Sequence, residues 1–279
     1  MTLCMAAICS DGTAGPLAVI AADGMVTLGG FIEFEHTVPK IAQPSPFSVA
    51  MVAGDTLLGT RLARGVAGEF AGAAPNTSEV AGRLAQRYVE MRRAELEHQI
   101  LSLRGLDLQT YYGNHQGLNG NITAMLDNQM SQFNLGIELL VAGVDSGGAH
   151  IFSIENPGHP ERQHDVIGYA AIGSGGIHAV QAMIGFRHSP VTPLKETVFQ
   201  VYAAKRRAEV APGVGLDTDM AIISRNGTTI LDELTLTKLK DMYTQYGEIT
   251  ETALKTELEK LDLDERTPEQ EVLDDDDNK

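Results

Sequence analysis

The sequence has no tryptophan and only two cysteines, Cys4 and Cys9, and aromatic residues fill 5% of its 279 positions. The cysteine spacing is neither a C-x-x-C redox motif nor a zinc pattern. On one strand the two thiols point to opposite faces, which places them poorly for a mutual disulfide, and they are expected as small buried thiols. Basic residues are scarce: 21 lysines and arginines stand against 37 acidic residues, for a net charge of −16. That balance argues against a nucleic-acid or anionic-membrane partner, either of which needs a basic face. No apolar run is long enough to cross a bilayer. No basic segment precedes an apolar one at the start, so no signal peptide is expected and the expected location is cytoplasmic. The eight histidines show no H-E-x-x-H or other metal spacing. No phosphate-binding glycine loop is present, and Gly173-Ser174-Gly175 lacks the spacing of a nucleophile elbow. Neither a metal nor a cofactor is expected.

What is present reads as an ordinary globular chain, with 43% hydrophobic and 21% charged residues. Its length suffices for one sizeable core. Much of the acidic excess crowds the end, from Asp264-Glu265 to Asp274-Asp275-Asp276-Asp277. A single domain over 1–262 with a solvated acidic tail over 263–279 is the expected organisation.

Apolar runs bounded by turn residues predict strands over 2–9 and 17–22, then shorter extended pieces at 31–34 and 38–41, and a strand at 47–53. Thr27-Leu28-Gly29-Gly30 reads as a turn. Helical spacing follows over 56–70, and again from Asn76, where Glu79 stands at capping-box distance. The stretch 104–134 is rich in Gly, Asn and Gln and reads as a loop excursion with a short helix. Strands return at 136–145, 149–154 and 169–172. Two helices, through 179–184 and over 194–209, precede strands at 219–224 and 228–231 and a polar helix over 236–261. Grouped strands alternating with grouped helices predict an α+β fold with antiparallel sheets rather than βαβ units.

The chemistry sits at the first strand. Once Met1 is removed, Thr2 carries a hydroxyl and a free α-amine on one residue. Such an amine has a reference pKa of about 7.7–8.0, so it can accept the proton of its own hydroxyl and activate it as a nucleophile.

Several short motifs then fall in one order. They are Ile20-Ala21-Ala22-Asp23, Thr27 four residues later, Lys40 before Ile41, Val52-Ala53-Gly54-Asp55, the 141–154 hairpin, Ile172-Gly173-Ser174-Gly175, and Ala203-Ala204-Lys205. Over about 2–224 this order resembles the proteasome β-subunit family of N-terminal nucleophile hydrolases. The resemblance implies a four-layer αββα sandwich of two antiparallel sheets flanked by helices. It implies Thr2 as the threonine nucleophile, with Lys40, Asp23 and Ser174 completing the catalytic set. Thr27 would bind substrate backbone, and the Gly54 N–H would stabilise the oxyanion, where one donor is typically worth ~2.7–4 kcal/mol. Val26, Val38, Ala42, Val52 and Thr56 would line a small apolar specificity pocket, implying cleavage after apolar residues.

The implied assembly is a self-compartmentalising, homo-oligomeric ring acting on peptides or unfolded polypeptides, and an ATP-driven unfoldase is a partner to look for. After its fourth helix the family usually carries an Asp and then a Ser. Here the chain is longer and has no serine, and Glu209 and Asp217 are the two candidates to stand in for the Asp. A single Met before Thr2 is similar to bacterial proteasome-like peptidases. The alternatives are a catalytically silent scaffold subunit, and an amidase or transpeptidase of the same fold.

Overall fold

A computed structural model describes residues 2–12, 15–28, 32–35, 40–114, 117–159 and 161–261. The chain divides into two compact units, Met1–Leu236 and Thr237–Lys279. The expected acidic tail and Val38 lie outside the described residues.

The chain begins with six strands: β1 (Cys4–Asp11), β2 (Gly15–Asp23), β3 (Met25–Leu28), β4 (Ile32–Glu35), β5 (Ile41–Ser45) and β6 (Ser48–Gly54). Helices α1 (Thr56–Glu69), α2 (Thr77–Leu96), α3 (Leu108–Asn114) and α4 (Gly120–Gln132) follow. Strands β7 (Ile137–Asp145), β8 (Gly148–Ile154), β9 (Arg162–Gln163) and β10 (Tyr169–Ile172) come next. Then come α5 (Gly176–Gly185), α6 (Leu194–Ala208), β11 (Thr218–Ser224), β12 (Gly227–Ile230) and α7 (Glu233–Leu258). The fold is mixed α+β. Its two five-stranded antiparallel sheets, ordered β10-β1-β2-β11-β12 and β5-β6-β7-β8-β9, are compatible with a two-sheet sandwich. The Thr27-Leu28 stretch, read from sequence as a turn, instead forms β3, which pairs with β4 as a separate ribbon.

Strand periodicity explains the core. Cys4, Ala6 and Ile8 of β1, with Ala18, Ile20 and Ala22 of β2, share one buried cluster with Val49 and Met51 of β6 and Leu140 and Ala142 of β7. Successive strand residues face opposite sides, so alternate positions of both sheets meet in this layer. Burying a side chain such as Ile20 or Leu140 contributes about 1.5–3 kcal/mol. The intervening positions of the second sheet, Val52, Leu139 and Val141, pack with Leu62, Val66, Leu84 and Tyr88 of α1 and α2. On the first sheet, α5 and α6 pack along β10, β1 and β2. The two cysteines separate as alternation requires. Cys4 lies in the inter-sheet cluster, while Cys9 meets Thr197 of α6, and both are free and buried.

Caps fix the helix starts. The Asp55 carboxylate accepts the Leu58 N–H at 3.0 Å, and the Glu79 carboxylate accepts the Asn76 N–H at 2.9 Å. The stretch 104–134 differs from the sequence reading, because α3 and α4 are both helical. With the end of α2 they enclose their own cluster of Leu96, Leu101, Tyr111, Leu126 and Met130. A small satellite core stabilises two helices where local composition announces only a short one. The second unit, in its described part, is the α7 stretch from Thr237 onward with the turn to Leu261. There Thr244, Thr250, Thr252 and Thr256 donate their hydroxyls to the carbonyls four residues back.

Candidate active site

Strand register gathers one group of polar side chains at one end of the first sheet. Cys4 pairs with Ala22 on one side and with Ile172 on the other. The residues just beyond those pairs, Thr2, Asp23 and Gly173-Ser174, therefore come to the same end. Lys40 enters from the second sheet, directly before β5, where its carbonyl accepts the Val52 N–H.

Thr2, Asp23 and Lys40 are 3%, 0% and 4% exposed, respectively. The Lys40 ammonium donates to the Thr2 hydroxyl and, at 2.8 Å, to Asp23 Oδ1. The Thr2 hydroxyl in turn donates to the same carboxylate oxygen. An ammonium buried this deeply requires a paired anion and satisfied protons. Asp23 is held by three further donors, the N–H groups of Leu3 at 2.7 Å, Met25 at 3.1 Å and Gly215 at 2.9 Å. Burial alone would push the Asp23 carboxyl up. The Lys40 ammonium and the hydrogen bonds from Leu3, Lys40 and Thr2 outweigh it and hold the carboxyl below its ordinary value. The group therefore stays ionised, and the Thr2 oxygen sits between a cation and an anion.

Ser174 completes the network on the other side of Thr2. The Thr2 N–H donates to Ser174 Oγ at 3.2 Å, and the Ser174 hydroxyl donates to the Pro212 carbonyl at 3.1 Å. The turn that carries Ser174 needs glycine. Gly173 has φ +85°, and a Cβ there would collide with the Thr2 carbonyl. Its N–H is bound at 2.7 Å by the carboxylate of Glu138 on β7, a contact the sequence reading missed. A carboxylate in an alternating strand looks like a solvent-facing residue, and only the fold brings it to this turn.

The two acids named as stand-ins are engaged elsewhere. Glu209 accepts from Lys205 at 2.6 Å and from Arg206 at 2.9 Å. The Asp217 carboxyl is pushed up, chiefly by its hydrogen bond with Glu35. The 209–217 loop reaches the network through its backbone instead, with the Pro212 carbonyl on Ser174 and the Gly215 N–H on Asp23.

Other sequence-derived residues occupy the following places. Gly54 closes β6 with φ +89°, and a Cβ there would run into the Gly136 carbonyl. Thr56 opens α1 with its hydroxyl 3.5 Å from the Gly54 carbonyl. Ala42 and Val52 belong to the cluster beneath α1 and α2. Val26 and Thr27 lie in β3, in register with Phe34 and Glu33.

The Cys4 thiol lies close to this group. Burial pushes the Cys4 thiol up to about 12 despite the nearby Lys40 ammonium, so it stays protonated and inert. Among the described residues, no group of three or more His, Cys, Asp or Glu side chains is arranged to hold a metal ion. No helix there is long and apolar enough to cross a membrane. The arrangement provides a hydroxyl oxygen in contact with a fixed positive charge, on a residue whose own nitrogen is held by a serine. No known protein-family model and no curated protein sequence matches the chain.

Proposed function

We propose that this chain is a threonine peptidase subunit with the N-terminal nucleophile hydrolase fold of proteasome β-type subunits. One observation carries the reading: the Thr2 hydroxyl is held between the Lys40 ammonium and the Asp23 carboxylate while the Thr2 nitrogen rests on Ser174. A buried cation has no structural need to touch a threonine hydroxyl, whereas a nucleophile needs that cation to favour its alkoxide.

Release of Met1 frees the Thr2 amine. The neutral amine takes the hydroxyl proton as Oγ1 attacks the substrate carbonyl carbon. Lys40 stabilises the developing charge on Oγ1, and Asp23 fixes Lys40. The carbonyl oxygen becomes an oxyanion facing the Gly54 N–H. The Thr2 ammonium then gives its proton to the departing amine as the peptide C–N bond breaks, which leaves an ester on Thr2. Water attacks that ester with the Thr2 amine again taking the proton, and the ammonium returns it to Oγ1 as the ester C–O bond breaks, which releases the acid and restores the hydroxyl and the neutral amine. Ser174 holds the amine in line for both transfers.

The assembly that fits this chemistry is a homo-oligomeric ring enclosing the sites, with peptides and unfolded chains as substrates and cleavage after small apolar residues. The direct test is a fluorogenic peptide panel on the wild type and Thr2→Ala. The variant should keep its circular dichroism and lose at least about 10³-fold in kcat/KM. Equal activity in both proteins would rule out Thr2 as the nucleophile.

A further inference from the structure

Lys205 is fully buried near the end of α6, where lysines ordinarily reach for water. Its ammonium spends all three donors on one loop: the Glu209 carboxylate at 2.6 Å, the Gly215 carbonyl at 2.9 Å and the Leu216 carbonyl at 2.7 Å. The opposite edges of the same two peptides are held by Glu35 of β4. Its Oε1 accepts the Leu216 N–H at 2.5 Å and the Asp217 N–H at 3.1 Å. Two successive peptide groups are thus clamped between a buried cation and a carboxylate, their dipoles aligned with both charges.

Glycine at the centre of the clamp leaves it undisturbed, since a Cβ on Gly215 would meet Glu35 Oε1 at 2.9 Å and the Met25 nitrogen at 3.0 Å and displace the carboxylate. The loop also lies against the Ser174 turn, where a Cβ on Gly175 would meet Val214 Cγ2 at 2.8 Å.

Burying an ammonium is costly, and a methionine would fill the same space without that cost. The charge therefore needs another explanation, and the loop's two contributions to the site supply it. The Gly215 N–H on Asp23 and the Pro212 carbonyl on Ser174 are both backbone groups. A backbone donor or acceptor is only as well placed as the loop that bears it.

We propose that Lys205 is a positioning residue, which with Glu35 clamps the 209–217 loop so that its backbone orients Asp23 and Ser174 around Thr2. In this chain a clamped loop does the work of an acidic side chain and a serine. The inference rests on the peptidase reading above.

The test uses the full chain and a peptide epoxyketone, with the rate of adduct formation on Thr2 as readout. Lys205→Ala removes the equivalent of one n-propylammonium. At saturating reagent its rate should fall by about 10–100-fold, the loss expected when reacting groups drift by roughly an ångström. The half-saturating concentration should stay within about twofold, because the reagent's own contacts are untouched. Millimolar n-propylamine should restore most of the rate in Lys205→Ala and leave the wild type unaffected. Glu35→Gln, on the exposed side of the clamp, should show a smaller loss that the amine does not restore. In both variants amide hydrogen exchange should accelerate over 209–217 and stay unchanged over 137–145. Wild-type rates in both variants would overturn the proposal. So would a loss in Lys205→Ala that the amine leaves in place while exchange over 209–217 is unaltered. If Lys205→Ala does not fold, the rate and exchange of Glu35→Gln decide. If the wild type itself forms no adduct, the peptidase reading fails separately. Exchange over 209–217 then decides the clamp alone: faster in the variants upholds it, and unchanged overturns it.

Discussion

Two ion clusters in this molecule look alike on paper and differ in every physical respect. Asp23 and Lys40 pair at 2.8 Å with side chains 0% and 2% exposed. Glu69 on α1 pairs with Arg83 and Arg87 of α2, where the side chains are 30%, 29% and 44% exposed. The surface cluster joins two helices through water-screened contacts that rarely contribute much. The buried one has lost its hydration and is tolerable only because donors surround the carboxylate, among them the N–H groups of Leu3, Met25 and Gly215. Such construction around a charged pair is found where a threonine hydroxyl lies between the partners. At the buried pair the fold has accepted a stability cost, and places of that kind are candidates for chemistry.

Removing one charge from each cluster has very unequal consequences. Asp23→Asn leaves Lys40 buried without its anion and should destabilise the fold by about 3–5 kcal/mol in denaturant titrations, with adduct formation on Thr2 lost as well. Next in size is the turn that carries Ser174. Gly173→Ala forces a Cβ into the Thr2 carbonyl at φ +85°, at a cost of about 1–3 kcal/mol. Gly65→Ala, in the open interior of α1 with nothing within 4 Å, should instead stabilise by roughly 0.5–1 kcal/mol.

Acid acts on the buried pair. The Asp23 carboxyl lies below its ordinary value in the folded protein, so the unfolded chain binds that proton more readily. Its contribution to stability is therefore complete above the unfolded value of about 3.9 and is lost as pH falls through the lower folded value. A thermal melt series should show this acid loss in the wild type and a flatter curve in Asp23→Asn. The smallest effect is expected at the surface. Glu69→Gln should leave both the melting temperature and the adduct rate within measurement scatter, because its partners are solvated.

Much of the fold was legible because strands and helix caps are local. The β1–β2 hairpin, the Asn76 cap and the β7–β8 pair follow from apolar runs, turn residues and capping spacing. Only a short helix was legible where α3 and α4 form, because their anchors, Tyr111, Leu126 and Met130, find their partners in one another and in the end of α2. In the site, Thr2, Asp23, Lys40 and Ser174 could be named in advance because each is a side chain in a short motif. The 209–217 loop was not readable in the same way. It acts through a carbonyl and an N–H, groups that every residue possesses. The visible traces are Pro212-Gly213-Val214-Gly215 and a lysine after two alanines on α6, and neither reveals what the loop touches. Glu35 and Glu138 were passed over for a related reason, since a carboxylate in a strand looks solvated until the fold supplies its donor.

If the reading is right, the Thr2 hydroxyl and its own nitrogen act together as the nucleophile. Intact-mass spectrometry after incubation with a peptide epoxyketone tests it directly, because that reagent requires both groups on one residue. The expected result is loss of Met1 and a single adduct mapped to Thr2, absent in Thr2→Ala. A chain that has lost Met1, remains folded and still carries no adduct would contradict it.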